Sequence, residues 1–204
     1  MSHPGLAELE AGLAEVLRAP RERGRLEAIA RRPAVDVREL LDAAELELAD
    51  GLVGDGWLAR GSRHTADRSA ERARQVTVMN ARLASLVAGG PDRARWALAG
   101  DQLYVDLDLG VENLPAGSRL AVGAAVLEVS EAPHLGCGKF AARFGRDALR
   151  FVNSPEGRAH RLRGLNARIV VPGRARVGDE VAKLCRERGS YAVSGGPDSF
   201  TRST

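Results

Sequence analysis

A chain of 204 residues with 44% hydrophobic and 28% charged side chains has the length and composition of one folded domain with a covered core. The net charge of +3 is modest, and no apolar run approaches the roughly 20 residues of a membrane span. The first residues, Met1–Leu13, carry Glu8 and Glu10 without a basic start or an apolar centre, which excludes a signal peptide and makes a cytoplasmic, reducing compartment the expectation.

Leu6, Leu9, Leu13 and Val16/Leu17 recur at helical spacing, predicting an amphipathic helix over residues 5–18 that ends at Pro20. Its apolar stripe is expected to pack on the domain or on a partner subunit. Leu26–Ala30 reads as a strand stopped by Pro33, and Gln75–Met79 as a strand of β-favouring residues. Asn80–Ala88 is predicted helical, with Asn80 as N-cap and Gly89-Gly90-Pro91 as its stop. A second short helix covers Asp92–Leu98. Over Gln102–Leu107, Leu103, Val105 and Leu107 alternate with Gln102, Tyr104 and Asp106, the period of a half-buried strand. Strands follow at Arg119–Val122, Ala125–Ser130, Leu165–Val171 and Val177–Leu184. Between them Cys137–Asn153 is helical in composition and is broken by Ser154-Pro155-Glu156-Gly157. Short strands with inserted helices predict a mainly β fold with flanking helices, a barrel rather than a parallel α/β sheet. Trp57 and Trp96 are expected to be core residues on its flanks. Residues 189–204, rich in Ser, Gly and Thr, read as a mobile tail.

Cys137 and Cys185 form no C-x-x-C pair and no disulfide framework, and His3, His64, His134 and His160 show no zinc-ligand spacing with them. From Lys139 to Arg168 eight basic side chains face only Asp147 and Glu156. Such a stretch is either a solvated face or a surface that attracts phosphate-bearing ligands. It matches no nucleic-acid reader, so no nucleic-acid partner is expected, and no membrane partner either. No P-loop or dinucleotide glycine motif occurs. His64 with Asp67-Arg68 reads as a structural polar loop and His160 as a solvated residue. Asp101, Asp106 and Asp108 near a strand could suggest a metal, but two of them share one outward face and read as solubilising acids.

Cys137 follows a predicted strand and opens a predicted helix, in Pro133-His134-Leu135-Gly136-Cys137-Gly138-Lys139. Helix N-terminal amides, Lys139 and His134 nearby suit a nucleophile, a persulfide carrier or a soft metal ligand. A buried structural cysteine fits the local pattern equally well. Cys185, ahead of Arg186-Glu187-Arg188, has no such setting and reads as structural.

An ordered series of landmarks accompanies Cys137. They are Gly51-Leu52-Val53-Gly54-Asp55, His64 to Arg68, Arg74-Gln75-Val76-Thr77-Val78-Met79, Gly110-Val111-Glu112-Asn113-Leu114 and Gly123. The segment around Cys137, Arg163-Gly164-Leu165-Asn166-Ala167-Arg168 and Val177-Gly178-Asp179 complete it. Any one is weak; in this order, over residues 25–184, the chain resembles the MOSC domains, the C-terminal domain type of molybdenum-cofactor sulfurases. The resemblance implies a barrel related to that of pyruvate kinase, a helical segment at 1–23, the MOSC domain at 24–184 and a flexible tail at 185–204. It implies that Cys137 carries sulfur or ligates molybdenum. It also implies that a molybdopterin-type cofactor, a pterin phosphate, is held by His134, Lys139, Arg163, Asn166 and Arg168.

This sequence departs from the family pattern at His134 and Gly136, where many members have arginine and proline. The pyridoxal-phosphate domain of complete sulfurases does not fit into 204 residues, so pyridoxal phosphate is not expected and Lys139 is not a Schiff-base lysine. No flavin or ferredoxin segment is recognised, so a redox cycle would take a separate electron donor. Three readings follow. One is a sulfurtransferase or molybdenum-dependent oxo-transfer enzyme. The second is a non-catalytic sulfur or cofactor carrier that docks on a protein partner through the N-terminal helix. The third is an enzyme-like fold that has lost the cofactor and is kept for oligomerisation, as a homo-oligomer.

Overall fold

The computed structural model describes residues 3–187 and 190–193. Helix α1 (Leu6–Leu17) precedes β1 (Arg23–Arg31), β2 (Glu39–Leu41), β3 (Ala43–Glu47), β4 (Gly51–Leu52) and the single turn α2 (Trp57–Arg60). Next come β5 (Val76–Asn80), α3 (Ala81–Ala88), α4 (Arg93–Ala97), β6 (Leu103–Asp106), β7 (Arg119–Val122) and β8 (Ala125–Val129). Three helices follow, α5 (Gly138–Phe144), α6 (Arg146–Asn153) and α7 (Pro155–Ala159), and then β9 (Leu165–Val171), β10 (Gly173–Arg176), β11 (Glu180–Glu187) and β12 (Ser190–Val193).

Seven strands close on themselves in the order β11-β7-β8-β9-β5-β6-β1, with β1 returning to β11 through Arg23↔Ala182 and Gly24↔Val181. Closure removes the unpaired edges that an open sheet would expose. Only β5 and β6 pair in parallel among these seven, because a parallel neighbour needs a crossover and α3–α4 supply it. β2 and β12 extend the sheet beyond the ring. β11 runs past residue 184, and the remaining tail, 194–204, lies outside the described residues.

Two apolar clusters form, one on each side of the barrel wall. Inside, Leu26, Ile29, Val78, Leu103, Val105 and Leu127 belong to a core that also takes Ala44, Leu46, Leu52 and Ala175 from the small sheet β10-β3-β4. Outside, α1, α3, α4, α5 and α6 bury Leu9, Leu83, Trp96, Phe140 and Phe151 against Ala28, Ala30, Met79 and Tyr104 of the wall. The stripe of α1 therefore packs on its own domain. A bulge between Leu26 and Ala28 lets Leu26 and Ile29 share the inner core although they are three residues apart.

The expectation that β6 is half-buried fails for Tyr104, which is fully buried beneath the helices with its hydroxyl donating to Trp96 O at 2.7 Å. Alternation marked its face correctly; the helical layer then removed that face from water. The long helix expected over 137–153 divides at Gly145, whose φ of 92° no helix accommodates. Ser154-Pro155-Glu156-Gly157, expected as a break, begins α7. Ser154 accepts the Gly157 N–H, and Pro155 occupies the first turn, where its missing N–H costs nothing.

Candidate functional site

The site is built around the loop that leaves β8 and ends at Cys137. The Ser130 N–H donates to Asn166 O at 3.0 Å, and its hydroxyl, with one hydrogen, lies within hydrogen-bond distance of Ala73 O and Asn166 O. Asn166 Nδ2 donates to the carbonyls of Ala132 and Pro133 at 3.1 and 3.2 Å, and Arg74 donates to Pro133 O at 2.9 Å. Gly136 and Asn153 exchange two hydrogen bonds, of 2.9 and 3.1 Å, across to α6. A side chain at Gly136 would meet Leu149 Cδ1 at 2.7 Å, so this glycine permits the close approach. The loop is thus fixed along its length and presents Cys137, exposed, at the N-cap of α5 without a side-chain cap bond.

Behind the loop lies a buried ionic group. Asp101 is wholly buried and takes His134 Nε2 at 2.7 Å and an Arg163 guanidinium nitrogen at 2.6 Å. Arg163 also donates to Ala99 O at 2.8 Å and lies 5.0 Å from the ring centre of Phe140. Burial alone would raise the Asp101 carboxyl; the charges of Arg163 and His134 outweigh it and hold the group well below the usual carboxylate range. Burial and the Arg163 charge lower the His134 imidazole, despite Asp101, so the ring is neutral near pH 7. Asp101 was grouped in the sequence with Asp106 and Asp108, two of the three being expected on a solvated face. The structure separates it from the other two: closure of β5, β6 and β9 places Asp101 under the loop, whereas Asp106 and Asp108 lie partly in solvent, pairing with Arg82 and Arg21.

Lys139, in the first turn of α5 and two residues after Cys137, lines a cationic cavity of about 320 Å³ together with Arg32, Asp36, Arg38, Ala59 and Arg60; Cys137 itself is not in the lining. Arg32 is held by a two-pronged bond to Asp55 at 2.9 Å. Asp36, whose φ of 60° is unusual for a non-glycine residue, reaches Lys139 at 3.2 Å and Arg143 at 2.6 Å. The Arg60 side chain makes no hydrogen bond or ion pair among the described residues, and Arg38 Nε is buried without a partner. Burial, then Arg143 and Arg32, push Arg38 below the ordinary guanidinium range; burial, then Arg32, do the same to Arg60. Arg32, Arg38, Arg60, Lys139 and Arg143 together outweigh Asp36 and Asp55, which leaves an excess of positive charge open to an anion.

Of the residues singled out in the sequence, His134, Arg163 and Asn166 meet around the loop. Arg163 and Asn166 commit their bonded nitrogens to the protein itself, as does the Gly164 N–H, which donates to Arg161 O at 2.7 Å. Lys139, two residues after Cys137, lines the cationic cavity, and Cys137 does not. Arg168 is elsewhere, half-exposed and paired with Glu128 across β8 and β9. Arg32, Arg38 and Arg60 were not found from the sequence. Arg31-Arg32 before Pro33 was a weak local signal, and nothing local marked Arg60.

No group of three or more His, Cys, Asp or Glu residues that could hold a metal ion occurs among the described residues, and no helix among them is long and apolar enough to cross a membrane. The MOSC domain model matches residues 62–182, from the polar loop after α2 to the first residues of β11. The chain belongs to the MOSC domain family. Solved structures agree on the fold. The YuaD protein of Bacillus subtilis superposes with a TM-score of 0.54 at 20% identity, covering 78% of this chain and 94% of its own. YiiM of Geobacillus stearothermophilus gives 0.53 at 14% identity, over 83% and 80%. YiiM of Escherichia coli gives 0.51 at 16%, over 80% and 71%. No curated protein matches in sequence. The expected MOSC barrel with flanking helices is therefore the observed fold, and β1 to α2, ahead of the matched segment, supply this MOSC protein with most of its cationic cavity.

Proposed function

We propose that this MOSC protein uses Cys137 as its working thiol, on an anionic, phosphate-bearing molybdopterin-type cofactor or as a carrier of sulfane sulfur. The observation that carries this reading is the exposed thiol at the N-cap of α5, two residues before Lys139, which lines a cationic cavity in which Arg38 Nε is buried and unpaired. An orphaned guanidinium N–H is costly unless an acceptor arrives, and a phosphate oxygen is such an acceptor. The residues therefore fit the group: Cys137 would hold molybdenum, and Arg38, Arg60 and Lys139 the phosphate. When bound, the cofactor would supply oxygen-atom transfer at the metal. In the sulfur-carrier form, Cys137 attacks the outer sulfur of a donor persulfide. The new S–S bond forms as the donor thiolate leaves, and the same exchange run onto an acceptor thiolate returns Cys137.

The protein's own contribution is positional. The bonds at Ser130, Asn166 and Asn153 hold the loop, so the thiol needs little reorganisation to react. Purified protein is to be analysed for molybdenum and for cyanide-releasable sulfur, in wild type and Cys137→Ser. Molybdenum or labile sulfur in the wild type, lost in the variant, is the expected result. Absence of both from wild type reconstituted with molybdopterin or with a persulfide donor would overturn the reading. Reduction of an N-hydroxylated test compound with an added reductase separates enzyme from carrier.

A further inference from the structure

A second cavity, of about 370 Å³, opens on the loop at His134 and Leu135, and neither Cys137 nor Lys139 lines it. Its volume is in the small-molecule range. Val111, Leu135, Val152 and Leu165 give it apolar walls. Arg158 and Arg161 also line it, and both bond only to backbone carbonyls, of Asn153 for Arg158 and of Leu109 and Leu114 for Arg161. Glu131 is the one acid in the lining.

The state of His134 follows from its partner. Asp101 is ionised beside Arg163 and can only accept, so the hydrogen of the neutral ring sits on Nε2. Nδ1 is then a bare lone pair. No protein group among the described residues donates to it, and it is not sealed from solvent, since the buried unpaired side-chain atoms are Arg38 Nε and Arg163 Nε.

We infer that this cavity is a binding site for a small 2-hydroxy acid with an apolar side chain, whose hydroxyl donates to His134 Nδ1 and whose carboxylate pairs with Arg158 and Arg161. A carboxylate alone would set lone pair against lone pair at Nδ1. An ammonium donor would be repelled by Arg158, Arg161 and Arg163, which a hydroxyl is not. The site does not depend on the chemistry proposed for Cys137.

Mandelate is a suitable probe, with phenylacetate lacking the hydroxyl and benzyl alcohol lacking the carboxylate. Imidazole nitrogen NMR of the wild type, with His134 assigned from the spectrum of His134→Gln, reads the contact directly. Mandelate is expected to move the Nδ1 resonance of His134 in a saturable way. Phenylacetate, benzyl alcohol, and mandelate with Arg158→Gln are each expected to bind roughly tenfold more weakly, the loss of one good polar contact. Arg158 is exposed, so that variant reports on binding rather than folding. Cys137→Ser is expected to bind mandelate as the wild type does, which keeps failure here distinct from failure at the thiol. A His134 ring unmoved by millimolar mandelate, a proton on Nδ1 at pH 7, or equal binding of phenylacetate would overturn the site.

Discussion

His134 Nε2 lies 2.7 Å from Oδ1 of Asp101, a carboxylate with no solvent exposure and 33 residues away in sequence. That contact joins the cysteine-bearing loop to the start of β6, and the second oxygen of Asp101 is taken by Arg163. Removing the carboxylate charge leaves Arg163 buried and uncompensated. Asp101→Asn is expected to lower unfolding stability by about 3–5 kcal/mol, read by chemical denaturation. A loss below about 1 kcal/mol would mean that Asp101 is not the counter-charge of the group.

The same pair sets the response to acid. Both Asp101 and His134 bind protons less readily in the folded protein than in the unfolded chain. Between the folded value and the unfolded one the unfolded chain holds more protons, so stability rises with pH across each window. On acidification, stability is expected to fall from just below about pH 6.5 through His134, and again below about pH 4 through Asp101. Thermal melts from pH 8 to pH 3 test this, with His134→Gln expected to delay the first decline. A wild-type melting temperature that rises between pH 7 and pH 5 would contradict it.

Asp36 occupies the cationic cavity as an internal anion, bonded to Lys139 and Arg143. Asp36→Asn is expected to strengthen inorganic phosphate binding several-fold by freeing both cations, and Arg60→Gln to weaken it by a similar factor. Calorimetric titration with phosphate measures both. Because the Asp36 pairs are largely exposed, the melting temperature of Asp36→Asn is expected to stay at the wild-type value.

Ser154 supplies the only side-chain bond recorded at the N-cap of α7. Ser154→Ala is expected to cost about 1 kcal/mol of stability while leaving phosphate binding intact. Equal stability of variant and wild type would place the start of this helix in the packing of Gly157, whose added Cβ would meet Phe151 O at 2.3 Å.

Periodicity and caps were enough for the elements around the barrel. Asn80 caps α3 as expected, accepting the Leu83 N–H at 3.0 Å, and the alternation in β6 separates its two faces correctly. The short strands β3, β4 and β10 were not legible, because two to five residues carry too little pattern and their apolar residues are buried only by joining the barrel core. Cys137 was legible from its place between a strand and a helix, and the structure leaves it exposed there. Its surroundings were not.

Sequence alone determined the family, the barrel with its flanking helices, and the place of the thiol between a strand and a helix, since these follow from local spacing and from landmarks in order. Tertiary structure decided which charges face that loop. Asp101 and Arg163 are 62 residues apart, and Asp36 and Lys139 are 103 apart. No local pattern links such residues. Barrel closure brings them within hydrogen-bond distance, and burial then determines which of them remain ionised and leaves Arg38 Nε and Arg163 Nε without an acceptor.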